Sequence, residues 1–436
     1  MRRPELCSLE NHLLNGTVLA DFMSPLLATF ENLRYNEKIF RTLSMPLFSV
    51  LGCLRHLQGC SGLRQHIQSL FHLIDDAKVP LARSTAADAL SSKKRQKILE
   101  ASLEQLYKTA QEALPDRLSE IPGLKDRPVY AVDGTYQKER SHYKKVTPKN
   151  GGDDNPKGHC LLPFFDVRRG IPITACTDTS NVHEITLLRE YVLAPNSLFN
   201  TRNALWVVDR GYVATQFWDG IKQKSKSEVV MRLKENMSVT TEEDRTITEQ
   251  DVNVGVLSDK NVTLNASKKA WRLVTYQTHE GHVYTYLTNN FDLEPGVIAF
   301  LYLRRWDEEK CFDPWKNDFS QKKAWSKNKT AIQNQTTMAI MTSILVALFE
   351  NKHLEEWAIQ DEKALKKKDI VIDKLKKIDG AKKEGEIEKY RWFHRVFKKV
   401  SKTSKQIFRF IKGCYSKKAS KALYDNQLRV LFIKYL

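Results

Sequence analysis

Residues Ala204 to Tyr212 read Ala-Leu-Trp-Val-Val-Asp-Arg-Gly-Tyr, an apolar, strand-like run that ends in an aspartate. A similar run lies upstream, Pro128-Val-Tyr-Ala-Val-Asp133-Gly-Thr. Two buried strands of this kind, within a region where strand and helix patterns alternate, indicate a central mixed α/β sheet. Ligands of such sheets usually bind at the edge where the strands end. The sequence therefore predicts carboxylates, Asp133 and Asp209, at the ligand-binding edge of a sheet.

The segments around these two runs continue the alternation. A Thr-, Val- and Tyr-rich stretch with polar turns, residues 236–292, is typical of an antiparallel β insertion. Other strands are predicted at 160–167, 171–177 and 228–234, and helices at about 182–192 and 214–224.

Helix resumes at Pro295, because proline is favoured in a first helical turn. This helix is predicted to carry Tyr302-Leu-Arg-Arg-Trp-Asp-Glu-Glu-Lys-Cys-Phe-Asp-Pro-Trp-Lys316. At about 100° per residue, four of its side chains fall on one narrow face: Tyr302, Arg305, Glu309 and Lys316. A carboxylate between two cations and a phenol suits a phosphodiester held beside a metal ion. The alternative is a solvated helix face with ordinary ion pairs.

The N-terminal part is helical, with apolar residues at three- and four-residue spacing. Arg83-Ser84-Thr85 is expected to begin one helix, with Thr85 and Asp88 at capping-box spacing, and Ser91-Ser92-Lys-Lys-Arg95 is expected to begin the next. Short helices that begin with hydroxyls and cations suit a helix-turn-helix-like DNA reader. An ordinary helical bundle with a basic surface fits the pattern equally well.

The composition is that of a folded, basic protein. The 436 residues are 41% hydrophobic, and 70 Lys and Arg outnumber 52 Asp and Glu, a net charge of +18. Residues 361–436 hold 23 Lys and Arg against 9 Asp and Glu. This excess indicates a polyanion partner, either nucleic acid or an anionic membrane surface.

Several other classes of protein do not fit. The longest apolar run, Met338 to Phe349, is shorter than a membrane span and is predicted to be a buried helix. No secretory signal pattern follows the start, so we expect a soluble, intracellular protein without a membrane partner. The seven cysteines are scattered, which argues against a zinc or disulfide framework, and the sequence has no phosphate-binding loop motif.

Three acids in this arrangement suggest a specific chemistry. Carboxylates from different elements, Asp133, Asp209 and Glu309, can hold two Mg²⁺ ions, with Mn²⁺ as a substitute. Two such ions support in-line phosphoryl transfer on a nucleic-acid backbone. Taken singly, each aspartate is as readily explained as a cap of the following turn or helix.

These residues carry a family resemblance. Tyr302, Arg305, Glu309 and Lys316 match without a gap the Tyr, two residues, Arg, three, Glu, six, Lys signature. The chain thus resembles bacterial DDE transposases of insertion-sequence family four over about residues 80–350. Asp133-Gly-Thr resembles the family's first acidic motif and Asp209-Arg-Gly-Tyr its second.

The resemblance implies a fold and a domain division. It implies an α/β, RNase H-like catalytic core with an antiparallel β insertion, flanked by N-terminal and C-terminal helical regions. The expected boundaries are a helical, DNA-binding region at 1–115, the first part of the core at 116–235, the insertion at 236–294, the signature helix and the following helix at 295–350, and a basic helical region at 351–436.

The resemblance also implies an activity and its site. Cut-and-paste transposition is expected, with cleavage at the element ends through a DNA hairpin and then strand transfer. Asp133, Asp209 and Glu309 would be the catalytic, metal-binding residues. Residues expected to contact DNA are Tyr302, Arg305, Lys316, Arg232 and Lys234, with Tyr284, Trp271 and Trp306 as alternative partners for a flipped base.

The expected partners are the terminal inverted repeats, target DNA and a second copy of the chain, because two element ends are processed together. The expected location is the bacterial cytoplasm, at the nucleoid.

Three other hypotheses remain: an inactive, transposase-derived DNA-binding protein, a standalone RNase H-like nuclease, and a basic helical protein that binds membranes or RNA.

Overall fold

The computed structural model describes residues 18–40, 43–58, 62–69, 81–139, 158–193, 200–234, 237–265, 267–278, 281–305, 315, 319, 321 and 323–358. Within these residues, ten strands form one sheet. They are β1 (Val129–Val132), β2 (Thr135–Lys138), β3 (Gly158–Asp166), β4 (Ile171–Thr179), β5 (Leu205–Val208), β6 (Glu228–Arg232), β7 (Val239–Asp244), β8 (Val256–Leu264), β9 (Ser267–Gln277) and β10 (Val283–Thr288).

The centre of the sheet is mixed, as the sequence predicts. Strand β1 is parallel to β5, and β5 is parallel to β6. On the other side of β1, β3 runs antiparallel to both β1 and β2, and β4 runs antiparallel to β3. All four remaining pairings between the described strands are antiparallel, so the sheet as a whole is mainly antiparallel.

The predicted β insertion extends this same sheet. Strands β7 to β10 form an antiparallel meander, and β10 pairs with β6 in the register Tyr286↔Arg232. The insertion is therefore joined to the strands that carry the aspartates by a continuous ladder of backbone hydrogen bonds.

Helices cover both faces of the sheet. They are α1 (Val18–Asn32), α2 (Met45–Gln58), α3 (Leu63–Ser69), α4 (Arg83–Leu90), α5 (Lys93–Ala113), α6 (Glu184–Leu193), α7 (Thr215–Ser225), α8 (Pro295–Arg304) and α9 (Lys329–Ala358). One face packs on the N-terminal helices and α9, in a core that runs from Phe22 to Phe349. The other face packs on α8 and on residues of the 118–124 segment.

Helix α9 is the longest described helix and is a core element. Its part Lys329–Lys352 is long and apolar enough to cross a membrane, but 83% of its most apolar window is buried inside the fold. Met338, Ile344 and Leu345 have no exposed surface. The prediction of a buried helix over Met338 to Phe349 is confirmed.

Helices α4 and α5 both begin where the sequence predicts, at Arg83 and after Ser92, but only the second has the predicted cap. Ser92 caps α5, since its side chain accepts a hydrogen bond from the Arg95 N–H. The capping box predicted at Thr85 is wrong, because α4 begins at Arg83 after Ala82, with no side-chain cap, and Thr85 lies inside the helix. The spacing to Asp88 is present, but the helix begins two residues before Thr85.

Candidate active site

The ends of β1 and β5 bring Asp133 and Asp209 side by side. The two strands are parallel and paired in register to their last residues, Val132↔Val208, so the aspartates that follow occupy equivalent positions. Adjacent strands lie about 4.8 Å apart. Side chains alternate along a strand, so Asp133 lies on the same face as Val129 and Ala131, and Asp209 on the same face as Leu205 and Val207. This face of the sheet packs against α8.

Helix α8 contacts both aspartates through its C-terminal end. The Tyr302 hydroxyl donates a hydrogen bond to Asp209 Oδ1 at 3.1 Å. The Arg305 guanidinium lies 3.8 Å from Asp133 Oδ2, with an Arg305 side chain that is 6% exposed. Arg305 follows the last helical residue, and its N–H still bonds to the Leu301 and Tyr302 carbonyls. Tyr302 and Arg305, the two residues of the predicted helix face that the structure describes, therefore each contact one of the strand-end aspartates.

The electrostatics around Tyr302 keep it protonated. Burial raises the pKa of Tyr302 to about 12; the Asp209 carboxylate adds to this shift and the Arg305 guanidinium opposes it. At neutral pH the hydroxyl is consequently a donor, and it orients the carboxylate that accepts from it.

A third carboxylate, Glu184, lies behind the aspartate loops. It stands in the first turn of α6, where a negative charge is favoured by the helix dipole. Its Oε2 accepts a hydrogen bond from the Tyr212 hydroxyl at 2.7 Å, and its negative charge helps to raise the pKa of Tyr136, after the larger effects of burial and the Cys160 thiol. A Cβ added at Gly134 would collide with this carboxylate. Glu184 thus contacts the segments that follow both aspartates.

A row of aromatic rings runs from Tyr302 into the insertion. The Tyr302 ring lies 4.9 Å from that of Tyr286, and the Tyr286 ring lies 6.4 Å from that of Tyr284. The Arg232 guanidinium lies over the half-buried Tyr284 ring at 4.9 Å. Two predicted DNA contacts, Arg232 and Tyr284, are therefore adjacent and connected to the aspartates through this row.

Trp271 does not belong to this surface. Its side chain has no exposed area, lies in the core on the opposite face of the sheet and donates from Nε1 to Ser267. A fully buried indole offers no face to a base, so Trp271 is excluded as the stacking partner in this conformation. Among the described residues, Tyr284 therefore remains the candidate stacking partner for a flipped base.

Lys234 lines an open cleft of about 460 Å³ beside the end of β6. The cleft lies between the start of α7, with Thr215 and Gln216, and residues Leu264 and Asn265 at the end of β8. Arg189 also lines it. Two cationic side chains, the predicted Lys234 and Arg189, therefore line the same cleft.

Three predicted residues, Glu309, Lys316 and Trp306, lie outside the described part of the chain. Within the described part, no group of three or more His, Cys, Asp and Glu side chains is arranged to hold a metal ion. The two aspartates nevertheless fit a hard cation, because they present oxygen donors from adjacent strand ends and Asp133 is 29% exposed.

Sequence reasoning missed Glu184 and Tyr286. Glu184 is distant in sequence from Gly134, and nothing around it distinguishes it from an ordinary acid at a helix start. Tyr286 is fully buried, and its hydroxyl has no hydrogen-bond partner among the described residues. The sequence could have indicated its place, because Tyr286 lies two residues after Tyr284 on one strand and alternate residues of a strand share a face.

Comparisons with known proteins identify the family of the chain. No curated protein sequence matches the chain. Among solved structures, a piggyBac transposase in a synaptic complex with hairpin DNA is similar over 98% of this chain and 85% of that chain, at 10% identity and a TM-score of 0.39, a likeness too low to carry any argument. The sequence pattern of the family described as transposase DDE domain matches residues 124–345, just over half of the chain, including both strand-end aspartates and the helix that contacts them. The chain therefore belongs to the DDE transposase family.

Proposed function

We propose that this transposase cuts DNA at the ends of an insertion sequence and joins those ends to target DNA. The observation that carries the proposal is the pairing of Asp133 and Asp209 at adjacent strand ends, held by Tyr302 and Arg305 of one helix. An RNase H-like core is part of the same proposal, supported by the parallel strands β1, β5 and β6. A relation to insertion-sequence family four is also proposed, supported by the spacing of Tyr302, Arg305, Glu309 and Lys316.

DDE transposases generally use divalent metal ions. In this chain Asp133 and Asp209 would hold them, together with Glu309 from the stretch that follows Arg305. Two Mg²⁺ ions, when bound, would activate the attacking water or 3′-hydroxyl and stabilise the leaving oxygen.

The chain's own residues would bind and orient the DNA. Tyr302 fixes the rotamer of Asp209, and Arg305 balances the charge of Asp133 beside the phosphodiester. Arg232 and Lys234 add positive charge at the end of β6, and Tyr284 offers a ring for a displaced base. Lys316 is proposed as a further phosphate contact.

The proposed reaction has four chemical steps at each end. Water attacks the phosphorus at the element end and the P–O3′ bond breaks, which leaves a 3′-hydroxyl. That hydroxyl then attacks the phosphorus of the opposite strand, which closes a hairpin on the element end and releases the flanking DNA with its own 3′-hydroxyl. Water attacks the same phosphorus, the hairpin P–O3′ bond breaks, and the 3′-hydroxyl of the element is restored. This hydroxyl attacks a phosphorus of target DNA and displaces a target 3′-oxygen. We propose that two copies of the chain act together, one at each end, on DNA in a bacterial cytoplasm.

The test uses purified protein and a DNA duplex that carries the inverted repeat flanking the gene, with a scrambled duplex as control. We expect nicking at the repeat end in Mg²⁺ but not in Ca²⁺, followed by a hairpin on a denaturing gel. The Glu309→Gln variant should bind the repeat and fail to cut it. Tight binding by the wild type without cutting in any metal would instead favour an inactive DNA-binding derivative.

A further inference from the structure

The side chain of Glu184 connects the two loops that carry the aspartates. Tyr136 lies three residues after Asp133, at the start of β2, and Tyr212 lies three residues after Asp209, in the turn Arg210–Tyr212. The Tyr212 hydroxyl bonds to the carboxylate of Glu184, and this carboxylate lies where a Cβ at Gly134, the residue after Asp133, would be. A single residue of α6 therefore contacts a partner from each loop.

The contact with Gly134 makes this arrangement tight. Glu184 occupies the space that a side chain at position 134 would need, directly beside Asp133. Burial and the neighbouring Cys160 thiol and Glu184 carboxylate raise the pKa of Tyr136, so this hydroxyl is protonated. The loop after Asp133 is thus fixed by packing against the Glu184 carboxylate.

We propose that Glu184 is a positioning residue that sets the separation of Asp133 and Asp209 and hence the affinity of the site for divalent cations. This inference rests on the proposed function of the two aspartates. Glu184 acts through the loops, since no three acids among the described residues are grouped to hold one ion. Residues that orient metal ligands from behind typically contribute about 10- to 100-fold to metal affinity or activity.

The test measures metal binding separately from cleavage. Binding of Mn²⁺ is followed by the electron paramagnetic resonance signal of the free ion, and repeat-end nicking is measured against Mg²⁺ concentration. We expect Glu184→Ala to raise the dissociation constant for Mn²⁺, and the Mg²⁺ concentration for half-maximal nicking, by about 10-fold. Glu190→Gln, an exposed acid on the same helix, should change neither.

Two milder variants guard against loss of the fold. Tyr136→Phe and Tyr212→Phe each remove one oxygen and create no cavity, so folding should persist even if Glu184→Ala unfolds the chain. Because Glu184 and Tyr212 act as one unit, the Glu184→Gln/Tyr212→Phe double variant should lose no more Mn²⁺ affinity than the more affected single variant.

The outcomes separate this inference from the proposed function. If the wild type binds Mn²⁺ and cuts DNA while folded Glu184, Tyr136 and Tyr212 variants match it in both measurements, Glu184 only supports the fold and the inference is overturned. If the wild type neither binds Mn²⁺ nor cuts repeat-end DNA, the metal site itself is wrong and both proposals fail together.

Discussion

The Tyr302 hydroxyl joins the end of α8 to the end of β5. Its distance to Asp209 Oδ1 is 3.1 Å, shorter than the 3.8 Å between the Arg305 guanidinium and Asp133 Oδ2. Its ring is held independently of the hydroxyl by packing against Tyr286. The hydroxyl can therefore be deleted without disturbing the ring.

Tyr302→Phe should slow Mg²⁺-dependent nicking by about 10-fold, because Asp209 loses the donor that orients it. Stability should fall by only about 1 kcal/mol, the usual net contribution of one hydrogen bond. Single-turnover nicking and urea unfolding measure the two effects. Tyr191→Phe, whose hydroxyl contacts Thr174 away from the site, is the control; equal nicking rates in both variants would refute the orienting role.

The side-chain contacts of the site were only partly predictable from sequence. Helical spacing placed Tyr302 and Arg305 on one face, and both indeed reach the aspartates. The same reasoning left Trp271 open as a DNA contact, since composition does not distinguish a core tryptophan from an exposed one. Glu184 was invisible because its contacts depend on how α6 packs against loops that are distant in sequence.

Among the helices and strands, the start of α8 depends on the insertion. Asn253, in the turn before β8, accepts from the Gly296 N–H through Oδ1 and donates to Glu294. The buried Arg272 of β9 pairs with Asp259 and donates to the Leu293 carbonyl, just before the helix. The β insertion thus fixes the helix that carries Tyr302.

Gly296→Ala should destabilise the protein by about 2–3 kcal/mol, because the new methyl group meets the backbone of Val252 and the packing has to shift. Gly220→Ala is the matched control, since nothing lies within 4 Å of its Cβ position in α7 and alanine favours helix by about 0.5–1 kcal/mol. Urea unfolding should move in opposite directions for the two variants. Equal midpoints would disprove the close contact between α8 and Val252.

The strands that end at Asp133 and Asp209 were predicted because apolar runs with a terminal acid and glycine are local patterns. The register Val132↔Val208 was not, because strand pairing is a non-local property that depends on packing against both helical layers. The pairing of β10 with β6 had no local signal either, so the insertion could be predicted as antiparallel but not as an extension of the core sheet.

Across the fold as a whole, the N-terminal helices and α9 share one core that contains two buried histidines. His56 bonds through Nε2 to the Gln335 carbonyl of α9 and stacks on Trp325, and His66 bonds to Gln58. Burial, together with the nearby Arg55 charge, lowers the pKa of both from 6.5 to about 3. The folded state therefore keeps both histidines neutral at pH values where the unfolded chain protonates them.

Stability should consequently fall as pH drops below 6.5 towards 3, because the unfolded state binds protons that the folded state rejects. The expected slope is about 1.4 kcal/mol per pH unit for each histidine. Urea unfolding between pH 7.5 and 5 measures it. His56→Gln should remove one histidine's share, and His183→Gln, an exposed residue, should leave the slope unchanged; a flat profile in the wild type would show that these histidines are not held neutral.

The most direct measurement compares Mg²⁺-dependent nicking of repeat-end DNA by the wild type, Asp209→Asn and Asp244→Asn. Asparagine at 209 can still accept from Tyr302 but loses the charge that a cation needs, so nicking should fall by about 100-fold or more while DNA binding persists. Asp244, which is 86% exposed on β7, is the control and should have no effect. Nicking by Asp209→Asn at the wild-type rate would contradict the assignment of the strand-end aspartates as the catalytic metal site.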